Sequence, residues 1–400
     1  VILVQISRRA QAVTGSLTLA IDAKAKAMVA QGVDVIGFGV GEPDFNTPAH
    51  IVAAAKEAMD RGETRYTPSS GTLALRKAVC EKLQRRNGLS YTPSQVVISN
   101  GAKHALHNAL CAILEEGDEV LIVPPCWVSY PEMVKMAGGV PVYVETDADD
   151  RYALHLSAVE QALSPRTRAI LLNSPCNPTG EVIPWEILAG IADIARERDL
   201  WIISDEIYEE FAYDGGLPPS IATHSEDAKE RTILVNGVSK TYAMTGWRIG
   251  YLACTEPLAK AIGNWQSHAT SNPNSIAQAA ALAAISGPQD CVQEMVAEFD
   301  RRRKAMASGL DAIPGIQCPL PRGAFYCLAN ISDLLGKSYR GRVIESDDDF
   351  AAMLLEEKAV ALVPGSGFLA PGHVRLSYAL SMEDIQAGME RIREFVKELI

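Results

Sequence analysis

The sequence lacks a basic excess, closely paired cysteines and any long apolar run, and each absence removes a class of function. Lys and Arg total 37 against 49 Asp and Glu, a formal net charge of −12. A chain this acidic offers no basic face to nucleic acid or to an anionic membrane surface. The eight cysteines, at 80, 111, 126, 176, 254, 291, 318 and 327, include no CxxC pair and have no histidine cluster beside them. That pattern argues against a disulfide framework or a metal site, and for reduced thiols. No apolar run reaches the roughly 18 residues that a membrane span requires. The N-terminal run Val1–Ile6 is apolar but too short for a signal sequence, and Arg8-Arg9 follow it. The expectation is a soluble, cytoplasmic protein with no membrane or nucleic-acid partner and no metal.

What is present is the composition of a globular protein, 48% hydrophobic and 22% charged over 400 residues. That length predicts two domains, or one large domain with a satellite. Between about 50 and 290, helical patterns such as Ala102, Leu106, Leu110 and Ile113 alternate with short apolar runs. Glu119–Val123, Arg168–Leu172, Leu200–Ser204, Thr232–Val235 and Ile249–Ala253 read as buried strands. Short apolar runs separated by helices predict an α/β fold with a mostly parallel sheet between helices. Such sheets bind ligands beyond the carboxyl ends of their strands. After about 295 charged helical stretches surround two short strands, Val360–Val363 and His373–Tyr378, which predicts a smaller α+β domain. A final helix opens at Ser381 with a capping-box-like start and an apolar stripe from Ile385 to Leu399. The expected division is an N-terminal arm at 1–48 joining the small domain, a large domain at 49–294, and the small C-terminal domain at 295–400.

The chemistry concentrates in Gly237-Val-Ser-Lys240-Thr-Tyr-Ala-Met-Thr-Gly-Trp-Arg248-Ile-Gly250. A lysine follows a strand, and an arginine comes eight residues later among apolar neighbours. Lysine forms Schiff bases with carbonyls, and arginine grips phosphate bidentately. The pair suits an aldehyde-bearing phosphate ester. In Ser99-Asn-Gly101-Ala102-Lys103 a glycine precedes a helix, whose free amides form an anion site. Arg375, inside the apolar strand Val-Arg-Leu-Ser-Tyr, needs a partner: a substrate carboxylate or an internal salt bridge.

The stretch from Lys240 to Gly250 closely resembles the pyridoxal-phosphate attachment motif of class I aminotransferases. The resemblance extends over nearly the whole chain and is similar in particular to bacterial-type aspartate and prephenate aminotransferases. It implies fold type I of the pyridoxal 5'-phosphate enzymes, with Lys240 carrying the cofactor and acting as general acid and base in a ping-pong transamination. It further implies that Asp205, at the end of a strand, pairs with the pyridine nitrogen; a lone Asp there also suits a helix N-cap. Tyr208 and Asn177 are implied to contact the phenolic oxygen, Asn177 also the substrate carboxylate. Gly101, Ala102 and Arg248 would hold the phosphate, and Trp127 would stack on the ring, where a plain core tryptophan is the alternative. Tyr66 resembles the tyrosine that reaches the partner subunit's phosphate, implying a homodimer with shared sites; a surface tyrosine is the other reading.

For the substrates, an amino acid and a 2-oxo acid, the resemblance implies that Arg375 and Gly41 take the α-carboxylate. Lys103 and Thr18 match residues that one branch uses for a distal carboxylate, although Lys103 also suits a solvated helix face. That favours an acidic donor, aspartate first, with prephenate or broader specificity as the alternative. A lyase or decarboxylase on the same fold is a further reading, and a regulatory cofactor-binding module a poor one for an acidic chain whose family-like region starts near residue 8. Three positions depart from the family pattern. Gly237 stands where several relatives carry a phosphate-binding serine, Cys126 replaces an aromatic residue, and Cys176 replaces serine or asparagine. Ser239 is expected to point away from the site if its segment is extended.

Overall fold

The computed structural model of the chain describes residues 5–15 and 17–400. The start of the apolar N-terminal run, residues 1–4, and Ser16 lie outside the described residues. Seven strands form the central sheet in the spatial order Val96–Ser99, Gly250–Ala253, Thr232–Gly237, Trp201–Asp205, Thr167–Asn173, Glu119–Ile122 and Val140–Tyr143. The sheet is parallel apart from Gly250–Ala253, which runs antiparallel to both neighbours. The reason lies in the preceding connection. It holds turns and one short 3₁₀ segment, Thr245–Trp247, in place of the helix that a parallel crossover uses.

The continuous apolar runs reflect burial on both faces. Within one strand Val120 and Ile122 join a core with Leu106 and Leu110, while Leu121 packs with Leu188 and Ile191 on the opposite face. Asn173 and Asp205 sit side by side at the carboxyl ends of their strands, with Gly237 ending the next strand.

Beyond the central sheet, His373–Ser377 lies between Tyr326–Asn330 and Val363–Pro364, antiparallel to both. The stretch Val360–Val363, read from sequence as one strand, serves two sheets. Val360–Ala361 pairs in parallel with Ile36–Gly37, and Val363–Pro364 pairs with His373–Ser377. Pro364 has no N–H with which to continue the ladder. The Ser377 amide donates to the Phe38 carbonyl at 2.8 Å, so the arm is tied to the strand that carries Arg375. The last helix, Met382–Lys397, is capped by the Ser381 hydroxyl, which accepts from the Asp384 amide. Its buried residues include Ile385, Met389, Ile392 and Val396, the stripe read from the sequence. Among the described residues no helix is long and apolar enough to cross a membrane.

Candidate active site

A cavity of about 470 Å³ opens at the carboxyl ends of the central strands, within the range of small-molecule sites. Its wall contains Thr18, Gly41, Ala102, Lys103, Trp127, Asn177, Asp205, Tyr208, Lys240, Arg248 and Arg375. Of the residues to which the sequence reading gave a catalytic or binding role, Gly101 and Tyr66 are not part of that wall. Gly101 stands directly behind it as the residue before the Ala102–Ile113 helix. Tyr66 is 91% exposed.

Lys240 lies three residues past the end of the Thr232–Gly237 strand. Its Nζ donates to the Gly41 carbonyl oxygen. Burial lowers its pKa to about 8; Glu42 and Asp205 oppose that shift, while Arg375 and Arg248 add to it. An amine in this range is partly neutral near pH 7, the state in which it attacks carbonyls and takes protons.

Asp205 is 3% exposed. A turn follows it, so it caps no helix. The Tyr130 hydroxyl donates to its Oδ2 at 2.7 Å and the Ile207 amide to its Oδ1 at 3.2 Å. Burial raises its pKa to about 6 against those two bonds. Tyr130 was not singled out from the sequence. The available signal was its position three residues beyond Trp127, at the start of the Ser129–Met136 helix, where its ring meets Trp127 edge-on with centroids 5.4 Å apart.

The anion site at the helix start is built by two close approaches. Gly101 has φ +86°, and a Cβ there would lie 2.9 Å from the Arg248 guanidinium carbon. The arginine therefore lies against the helix N-terminus, whose first amides have no intrahelical acceptor. Arg248 Nη1 donates to the Thr245 carbonyl at 2.8 Å. Gly250 faces Gly237 across the antiparallel pair, and a Cβ on Gly250 would strike the Gly101–Ala102 backbone. At Gly237 a Cβ would stand 2.9 Å from the Gly250 Cα and 3.0 Å from the Ile249 carbonyl oxygen. A serine does not fit at 237 without displacing backbone, which accounts for that departure.

Ser239 corrects an expectation. Residues 238–240 form a bend and turn, so the segment is not extended, and Ser239 lines the same cavity as Lys240. Cys126 is buried, with its amide bonded to the Phe368 carbonyl at 3.0 Å; the Cys176 thiol donates to the Pro125 carbonyl at 3.5 Å. Nothing in these contacts requires a cysteine at 126, since the bond is the backbone's.

Arg375 is 2% exposed. Among the described residues no carboxylate pairs with it. Its Nη1 donates to Asn177 Oδ1 at 3.0 Å and its Nη2 to the Gly39 carbonyl at 2.7 Å. Its Nε is buried with no partner, an unusual expense that an incoming acceptor would remove. The guanidinium lies 4.5 Å from the Tyr326 ring centroid and 4.7 Å from that of Phe368. Lys103 is exposed where it lines the cavity, with its Nζ 4.6 Å from the Trp127 ring centroid. Burial and the Arg248 charge lower its pKa, and no carboxylate among the described residues pairs with it.

Two further groups escaped the sequence reading. The Glu42 carboxylate accepts from the Thr245 hydroxyl at 2.7 Å. The Tyr326 and Tyr208 hydroxyls are hydrogen-bonded at 2.9 Å.

The chain is similar to known proteins over nearly its whole length. The profile of the aminotransferase class I and II family matches residues 33–392. The aspartate aminotransferase of Bacillus sp. strain YM-2 is 48% identical over 392 residues, 98% of this chain and 99% of that protein. The aspartate/prephenate aminotransferase of Cereibacter sphaeroides is 46% identical, covering 95% of this chain and 96% of its own length. Among solved structures, the aspartate aminotransferase of Rhizobium meliloti superposes with a TM-score of 0.95 at 43% identity over the full length of both chains. That of Thermus thermophilus with maleate gives 0.93 at 42% identity, covering 98% of this chain and all of that one.

Proposed function

The chain belongs to the class I and II aminotransferases, and we propose that it transfers the amino group of aspartate to 2-oxoglutarate using bound pyridoxal 5'-phosphate. That cofactor supplies a carbonyl that condenses with amines and a protonated ring that draws electrons from the substrate Cα. The residues present fit it. Lys240 is the amine for the carbonyl. The buried Asp205 carboxylate would hold the ring nitrogen protonated, while Tyr208 and Asn177 would serve its phenolic oxygen. The amides after Gly101, at Ala102 and Lys103, would take the phosphate with Arg248, and Trp127 would cover the ring face. Once the amino acid is bound, the amine of Lys240 takes the proton from its Cα and returns a proton in the opposite half-reaction.

The observation that carries the acidic substrate is a pair of cations in one cavity, Arg375 and Lys103, neither matched by a carboxylate among the described residues. Arg375 with its unpartnered Nε suits the α-carboxylate, beside the Gly41 backbone. Lys103, with Thr18 in the same wall, suits a distal one. Maleate, named with the similar Thermus thermophilus structure, is itself a dicarboxylate. Prephenate also carries two carboxylates, so the same pair accommodates it, in keeping with the aspartate/prephenate relatives. We further propose a homodimer in which the exposed Tyr66 serves the partner's site.

The test is a panel of amino donors with 2-oxoglutarate, followed by glutamate formation and by the cofactor's absorbance change. Aspartate should lead the panel; ammonia or a cleaved side chain without glutamate would instead indicate a lyase. Lys103→Ala should lower kcat/KM for aspartate by roughly 10–150-fold, the worth of a charge-assisted hydrogen bond, and leave alanine little changed. Equal losses for both donors would remove Lys103 from substrate recognition.

A further inference from the structure

The Tyr208–Tyr326 pair contains an ambiguity that the reaction must resolve. Each phenol has one proton to donate, and the two hydroxyls meet at 2.9 Å. Only one can be the donor of that bond. If Tyr208 donates to Tyr326, it has no proton left for anything in the cavity. If Tyr326 donates, the Tyr208 proton is free to point at a ligand.

The surroundings favour the second arrangement. Tyr326 begins the Tyr326–Asn330 strand and faces Ser377, which places it diagonally across from Arg375. The Arg375 guanidinium stands 4.5 Å from the Tyr326 ring centroid. Tyr208 has its own cation, Lys240 Nζ, but at 6.0 Å from the ring centroid; the nearer cation favours proton loss more, which makes the Tyr326 hydroxyl the stronger donor of the two. Tyr326 lines the cavity, and the Gly41 backbone packs against its hydroxyl. A Cβ on Gly41 would stand 2.7 Å from it, and among the described residues its hydrogen-bond partner is Tyr208.

We propose that Tyr326 is a positioning residue, which hands its hydroxyl proton to Tyr208 and so fixes Tyr208 as a donor toward the cofactor's phenolic oxygen. The proposal rests on the reading of Tyr208 given above. Its consequence is cooperative: a hydroxyl that accepts a hydrogen bond donates a stronger one. Tyr208 therefore stabilises an ionised phenolic oxygen better with Tyr326 behind it than without.

The readout is the pH midpoint of the bound cofactor's visible absorbance in the holoenzyme, measured without substrate. Loss of cooperative strengthening, about a tenth to a third of a charge-assisted bond, moves that midpoint upward by roughly 0.1–0.7 pH unit in Tyr326→Phe. In a Tyr208→Phe background the same substitution should have no effect, because the relay has no second member. An unchanged midpoint in Tyr326→Phe overturns the proposal. So does a downward shift, which would mean that Tyr326 had been taking the Tyr208 proton. Replacement of Tyr326 by 3-fluorotyrosine keeps the hydroxyl and makes it a stronger donor, so the midpoint should fall; a rise counts against the relay even if the phenylalanine variant does not fold. Tyr208→Phe by itself separates the two claims. If it leaves the midpoint unmoved, the Tyr208 reading fails; if it raises the midpoint while Tyr326→Phe does nothing, only the relay fails.

Discussion

Removing the Tyr130 hydroxyl should shift the pH range over which the protein takes up its cofactor. Asp205 carries opposing influences. Burial pushes its pKa up to about 6, while the Tyr130 hydroxyl at 2.7 Å and the Ile207 amide at 3.2 Å hold it down. A hydrogen bond to a charged group is worth about 1.5–3 kcal/mol, or about 1–2 pH units. Tyr130→Phe should therefore bring the carboxyl to about 7–8 in the cofactor-free protein, starting from its present value near 6. At pH 7 the wild-type carboxylate is mostly ionised, and in the variant half of it or more is protonated. The ring and its edge-on contact with Trp127 remain, so the cavity keeps its shape. The assay is titration of the cofactor-free protein with pyridoxal phosphate between pH 5.5 and 9. Association should weaken on the acid side, with the acid limb displaced upward by about 1–2 units and near-wild-type affinity recovered at the alkaline end. An affinity loss equal at every pH, with the limb unmoved, would refute the argument and leave Tyr130 as packing alone.

Three more outcomes follow from the same geometry. Asp205→Asn should abolish transamination yet stabilise the cofactor-free protein above pH 6. The folded pKa of Asp205 is raised, so its ionised form costs stability as pH climbs from about 4 through about 6, up to roughly 3 kcal/mol once fully ionised. Melting curves at pH 4 and pH 8 check this; the variant's gain should appear only at the higher pH. Glu42→Gln should move the Lys240 amine below its present value of about 8 by removing the charge that raises it. Amine-directed labelling of Lys240 in the cofactor-free protein at pH 7 should then be faster, and a slower rate would contradict the electrostatic assignment. Gly250→Ala should cost about 1–3 kcal/mol of stability by overpacking, because its Cβ would lie 2.8 Å from the Ala102 Cα and press on the adjoining amide. It should also weaken pyridoxal phosphate more than pyridoxal, measured by competition, since the displaced amides are those proposed to take the phosphate; equal losses would locate the damage elsewhere.

The parts of the site legible in the sequence are those whose chemistry follows from residue type and place on a strand. Lys240 and Arg248 share a short apolar loop, Asp205 ends a buried strand, and Arg375 is a charge inside an apolar strand. Arg375 was readable because an unpaired charge in an apolar strand is costly; Lys240, Arg248 and Asp205, whose plain alternatives are common, were read through the family resemblance. Tyr130 and Tyr326 were not readable in this way. A buried tyrosine has an ordinary role in any core, and only pairing decides otherwise. Tyr326 matters because its strand meets His373–Ser377 in the register that sets Tyr326 opposite Ser377 and beside Arg375. A slip of one residue would turn its hydroxyl to the other face. Glu42 likewise gains its partner, Thr245, only when the arm is drawn against the 243–247 loop, where the Thr47 hydroxyl also donates to the Ala243 carbonyl at 2.7 Å.

Gly237 shows why a departure from a family pattern has to be judged in three dimensions. Taken alone, a glycine in place of serine is a phosphate ligand lost. Its cross-strand partner is Gly250, and the two glycines let the Thr232–Gly237 and Gly250–Ala253 strands approach closely while Gly250 also lets the Gly101–Ala102 backbone come near. A side chain at either position would push apart the elements that form the anion site. The antiparallel return of Gly250–Ala253, which the apolar run did not foretell, is therefore part of the same arrangement. It brings Arg248, at the entry to that strand, against the start of the Ala102–Ile113 helix. The turn at 238–240 meanwhile keeps a hydroxyl, that of Ser239, in the cavity wall beside Lys240. The backbone geometry that forbids serine at 237 thus leaves the cavity with a serine two residues later.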